Sequence, residues 1–198
     1  MRGARFGLPL DFEGLTLGVG QALHALAVSL SPNNVGLWVE WAKLTLQLQN
    51  DITTTQTLLT QAFNIDTTYE PTYQVQGDLY LARARATTDA AAQAALYKQA
   101  QSTYETGLKY GQDANLNLGL ATVDEATGQL QAAIDQYQQL IQLGTPGLEV
   151  WRVDQRIANL YVLLKNTAQV QAFASQALSA APQANKAEVQ TWMATLPK

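Results

Sequence analysis

A chain of 198 residues with 16 Asp and Glu against 12 Lys and Arg carries a net charge of −4, and only 14% of its residues are charged, where about 25% is usual. The absence of Cys excludes disulfides, thiolate zinc sites and iron–sulfur clusters, and a single His excludes a multi-histidine metal centre. The acidic balance lacks the electrostatic footprint of a nucleic-acid binder, and no apolar run reaches the length of about 18 residues that a membrane span needs.

Residues 1–14 read as an irregular lead-in. Arg2 and Arg5 precede Leu8-Pro9-Leu10, but Asp11 and Glu13 interrupt the approach to the apolar stretch, which argues against a cleaved signal. An unpaired helix is predicted over Leu15–Leu30, closed by Ser31-Pro32-Asn33-Asn34. Four helix hairpins follow, at about 35–65, 70–110, 114–143 and 149–181. Turn residues stand where these hairpins need them: Gln49-Asn50-Asp51, Thr127-Gly128-Gln129 and Lys165-Asn166-Thr167 within hairpins, and Thr145-Pro146-Gly147 between the last two. The second hairpin is longer because Arg83–Ala95 adds about eleven residues, mostly Ala, the best helix former, so both of its helices are expected to lengthen. Thr88 or Asp89 is the expected cap of the returning helix. A closing helix at about 184–196 turns Val189, Trp192 and Leu196 onto the last hairpin and Lys186, Glu188 and Gln190 to water. The chain thus divides into residues 1–14, a hairpin array over 15–182 and a cap over 183–198.

The hairpins repeat one another. Gly20-x3-His24-x2-Ala27-Val28-x3-Pro32 and Val170-x3-Ala174-x2-Ala177-Leu178-x3-Pro182 share a spacing, which recurs in Ala100-x3-Tyr104-x2-Gly107-Leu108 and Ala133-x3-Tyr137-x2-Leu140-Ile141. With Ala62, these anchors lie 35, 45, 33 and 37 residues apart, a unit of about 34 with one long insertion. Each such helix follows another with its own signature: Trp38-x2-Trp41-Ala42, Tyr73-x2-Gln76-Gly77-x2-Tyr80, Leu120-Ala121 or Ile157-Ala158-x2-Tyr161. A large residue beside a small one lets the second helix approach closely, and the aromatics fill the wedge between neighbouring hairpins.

On these residues, over roughly 15–182, the chain resembles the tetratricopeptide repeat (TPR) family. The resemblance implies an all-α fold, a right-handed α-solenoid of about four hairpins with an unpaired N-terminal helix and a C-terminal capping helix. It also implies that first helices line a concave surface that takes partner peptides. By register that surface holds Glu40, Lys43, Gln74, Asp78, Thr122, Arg156 and Asn159. TPR clamps for a peptide carboxylate use Lys, Asn and Arg at set places. Lys43 and Asn159 fit two of them, but Asp78 and Thr122 break the set, so chaperone-tail binding is not expected. A narrower stretch, Leu30–Ala42 with Asp66-x2-Tyr69-Glu70-Pro71-Thr72, is similar to the TPR tails of bacterial O-antigen ligase or polymerase-like membrane proteins.

Residues with catalytic potential do not converge. His24 takes a packing place on its helix, and the adjacent carboxylates Asp124 and Glu125 point about 100° apart, which reads as a solvated helix end. Gly18-Val19-Gly20 has neither the third Gly nor the strand of a nucleotide loop. Trp38 and Trp41 share a helix face and would line a groove if exposed. The expectation is a non-catalytic scaffold for a protein or peptide partner, with no cofactor, metal, nucleic acid or membrane insertion. One alternative is the soluble tail of a cell-envelope glycan ligase. Another is a subunit that polymerises end to end through Leu23, Leu26, Val189 and Trp192, with Thr53-Thr54-Thr55 either carrying O-linked sugar or serving as turn residues. The lack of Cys suits an extracytoplasmic or thermophilic setting.

Overall fold

The structure, a computed structural model, describes residues 12–197. Among them the regular elements are helical, and they fall into two compact units divided between Tyr69 and Glu70. No helix among the described residues is long and apolar enough to cross a membrane.

The first unit holds α1 (Phe12–Leu30), α2 (Val35–Leu44) and α3 (Ile52–Ile65). Helix α1 begins at Phe12, three residues before its expected start, and residues 1–11 of the expected irregular lead-in lie outside the described residues. Helix α2 runs on into a π-turn, Thr45–Gln49. The reason is in the spacing: from Ala42 to Ala62 is one residue more than from Ala121 to Leu140 or from Ala158 to Ala177. A π-turn takes up one extra residue without breaking the helix. Asn50 then turns left-handed (φ 51°), and the Asp51 carboxylate caps α3 by accepting from the Thr54 amide at 3.0 Å. Two of the three clustered threonines serve the cap: the Thr54 hydroxyl donates to the Asp51 carboxylate (2.6 Å), and the buried Thr55 hydroxyl donates to the Asp51 carbonyl (2.7 Å). Trp38 and Trp41 stack at 6.3 Å, and the Trp38 indole N–H donates to the Pro32 carbonyl at 2.8 Å.

In the second unit α4 (Glu70–Ala86) pairs with α5 (Ala90–Gly107), α6 (Ala114–Ala126) with α7 (Leu130–Gln142), and α8 (Val150–Leu163) with α9 (Thr167–Ala180). Successive hairpins stack, α5 on α6 and α7 on α8. The Ala-rich insertion lengthens both α4 and α5, as its composition predicts, and Asp89 caps α5 by accepting from the Ala92 amide.

The fully buried Tyr104 of α5 sits where two glycines leave room. A Cβ at Gly77 of α4, or at Gly119 of α6, would fall within 2.8 Å of three atoms of its ring. Its hydroxyl donates to Asp78 at 2.7 Å. Farther along, Tyr161 and Phe173 stack at 5.6 Å.

After a 3₁₀ turn, α10 (Lys186–Met193) closes the unit. Val189 is fully buried with Trp151, Ala177 and Ala181, and Trp192 and Met193 pack on that cluster. This corrects one expectation. Val189 serves the cap and lies inside, so it offers no surface for an end-to-end contact.

Candidate functional site

Residues three apart on a helix share a face, so Thr122 and Glu125 on α6 project together, as do Arg156 and Asn159 on α8. The two faces meet through charge. The Arg156 guanidinium grips Glu125 with two nitrogens, Nε to Oε1 at 2.8 Å and Nη2 to Oε2. Tyr137 of α7 donates its hydroxyl to the same carboxylate at 2.6 Å. The grip raises the Arg156 pKa further, through its hydrogen bond to Glu125. Burial, helped by the neighbouring Glu125 charge, pushes the Tyr137 hydroxyl up as well. Thr122, Glu125, Ala126, Tyr137 and Arg156 line a depression of about 330 Å³. The Arg156 side chain is exposed, at 56%, while the Glu125 side chain is 13% exposed.

Of the residues expected on the partner surface, Thr122 and Arg156 are brought together here. Asn159 lies one turn on and accepts from the Trp192 indole N–H at 3.2 Å, which ties the surface to the cap. Gln74 and Asp78 neighbour each other on α4, and Asp78 is engaged by Tyr104. The exposed Glu40 and half-buried Lys43 belong to the first unit. So do Leu23 and Leu26, exposed on α1 at 59% and 54%. Glu125 and Tyr137, which complete the depression, are not among the partner contacts expected from sequence. The signal existed: Glu125 and Arg156 stand 31 residues apart, close to one repeat, with opposite charge.

Three polar residues occupy places where other hairpins carry aromatics. Counting from the small residue of each first helix, Asn117 and Asp154 correspond to Trp38 and Tyr73, and Asp124 corresponds to Tyr80 and Tyr161. All three are buried, at 1%, 4% and 3% exposure. Asp124 is therefore no solvated helix end: it packs inside while Glu125 faces the depression. One Asp124 carboxylate oxygen has no hydrogen-bond partner among the described residues, and burial, then the Glu105 charge, raises its pKa.

Burial pushes Asp154 up to about 6. The folded state thus holds a proton that the unfolded chain has already released. The resulting stabilisation is fully present below about pH 4 and is lost as pH rises through about 6. We expect the stability gained by Asp154→Asn relative to wild type to grow by about 1–2 kcal/mol between pH 4 and pH 7, partial solvent screening reducing the full linkage value. Urea titrations of both proteins across that range check it, and a gap independent of pH would refute the buried, protonated carboxyl.

No protein-family model matches the chain, and no curated protein matches it. Solved structures do. A thermophilic TPR protein of Thermus thermophilus superposes with a TM-score of 0.70 at 18% identity, covering 94% of this chain and 93% of its own. PilW, a type IV pilus biogenesis factor, superposes at 0.69 with 15% identity, covering 92% of this chain and 79% of its own. MamA does so at 0.64 with 17% identity, covering 89% and 87%. These likenesses give no support to the O-antigen ligase resemblance. Helix hairpins joined by short turns, a repeat of about 34 residues and these superpositions together mean that the chain has the all-α tetratricopeptide-repeat fold.

Proposed function

We propose that the protein is a non-catalytic interaction scaffold whose second unit receives an extended segment of a partner protein across α6 and α8. The observation that carries this reading is the Thr122–Glu125–Tyr137–Arg156 depression, an exposed polar site built from three helices of two successive hairpins. Its carboxylate is neutralised by Arg156 and oriented by Tyr137, which suits hydrogen bonding to a peptide and leaves no base poised for proton transfer. The one His belongs to the first unit, where it contacts the Gly20 carbonyl. Among the described residues no group of three or more His, Asp or Glu gathers as a metal site would. A filament built through both chain ends loses Val189 from its contact set, because that residue lies inside.

Selection of displayed random peptides on the intact protein tests the reading. Enriched peptides are expected to bind with a Kd of about 1–100 μM, and either Arg156→Glu or Thr122→Glu is expected to weaken them at least about tenfold. Urea unfolding of both variants separates loss of binding from loss of fold, since a folded variant that no longer binds has lost the surface alone. Failure to enrich any peptide, or a Kd indifferent to both variants, would overturn the proposal.

A further inference from the structure

One face of α1 is apolar where the repeat elsewhere makes it polar. The residue just before the anchor of each second helix is Gln61, Thr106, Gln139 or Gln176, and on α1 the same place holds Leu26. Leu26 is 54% exposed, and Leu23 and Leu30, which share its face at helical spacing, are 59% and 75% exposed. The half-buried Ala27 borders this stripe. Another side of α1 does the packing within the unit: Val28 is buried there, and the Gln21 side-chain amide donates to Gln49 of the π-turn at 2.8 Å.

Three observations select what covers the leucines. No charged residue lies between Gly14 and Leu30, so α1 offers a charged partner no complement, and two copies of α1 meet without repulsion. The order Leu23, Leu26, Ala27, Leu30 is self-complementary. In an antiparallel pair centred between positions 26 and 27, Leu23 meets Leu30 of the second copy and Leu26 meets its Ala27, the small residue admitting the large one. The exposed residues of α10 are Ala187, Glu188, Gln190 and Thr191, which give the leucines no apolar match for a head-to-tail contact. We infer that the leucine stripe of α1 is the contact of a two-fold homodimer, α1 packed antiparallel on α1 of a second copy. A contact of this kind uses the same patch on both copies and closes at two. A leucine side chain presents on the order of 100 Å² of apolar surface. Three partly exposed leucines a side therefore leave the contact well below the roughly 1,200 Å² of a standard stable interface, so the dimer is weak and reversible. It uses no residue of the peptide surface on the second unit.

Sedimentation equilibrium of the full chain from about 5 μM to 1 mM tests it. A monomer–dimer equilibrium with a Kd of about 10–500 μM is expected, with no larger species at the highest concentration. Leu26→Glu and Leu26→Arg are each expected to weaken the dimer at least about tenfold, since each sets like charges close across the two-fold axis. Urea unfolding midpoints near that of the wild type would show that both variants keep the fold, as an exposed position allows. An equimolar mixture of the two variants is expected to dimerise at least as well as the wild type, because Glu and Arg then face each other. Only a contact of α1 with itself gives that rescue. A monomer at 1 mM, a ladder of species that grows with concentration, a dimer indifferent to Leu26, or no rescue on mixing would overturn the inference.

Discussion

Gly77→Ala and Gly119→Ala are each expected to destabilise the protein by about 2–4 kcal/mol. In an ordinary helix interior the same change adds about 0.5–1 kcal/mol of stability, because Gly loses more backbone freedom on folding. The sign reverses here because Tyr104 fills the space. A Cβ at Gly77 would come within 2.7 Å of three ring atoms, and one at Gly119 within 2.8 Å of three. The ring has little room to give way, since both glycines border it and its hydroxyl is held by Asp78. Tyr104→Ala costs about 3–5 kcal/mol by itself but makes room, so in the double variants the glycine substitution is expected to become neutral or favourable. Urea unfolding of the single and double variants gives the coupling. Additive losses would show that the ring and the glycines do not share one slot.

Val189→Asp is expected to remove at least about 3 kcal/mol, lowering Tm by roughly 6–12 °C. Val189 is fully buried in an apolar cluster with Trp151, Ala177 and Ala181, so a carboxylate there would lose its hydration, which the one unpartnered Trp151 indole N–H would offset only in part. The exposed Gln190, one position on, provides the control: Gln190→Asp should change stability by less than about 0.5 kcal/mol. Thermal unfolding with the red shift of buried Trp fluorescence reads both. Equal, small effects would mean that α10 does not cover the last hairpin.

The hairpins were legible because their signal is steric and periodic. A small residue beside a large one recurs at Ala42, Gly77, Ala121 and Ala158, and turn chemistry marks each reversal, so helix order and pairing follow directly. Gly119 was not legible in the same way. Its role depends on Tyr104, a residue of the preceding hairpin, and the repeat register already supplied Ala121 as the small residue. The interior carboxylates illustrate a different limit. Asp124 reads from sequence as part of a solvated helix end, yet both it and Asp154 occupy aromatic places of the repeat and are carried inside by the residues around them. Register places a residue more reliably than its polarity does when a repeat is degraded. The π-turn of the first unit is hidden from a periodic reading because it takes up one extra residue in one hairpin, a departure from the period rather than an instance of it.

The central claim, that the α6–α8 face receives a partner segment, is tested most directly by amide and side-chain NMR of the labelled protein with an enriched peptide added. The account predicts shifts concentrated at Thr122, Glu125, Tyr137, Arg156 and Asn159, with the Arg156 Nε–H moving most. Shifts confined to other surfaces, with the Arg156 and Tyr137 signals unmoved at saturating peptide, would contradict it.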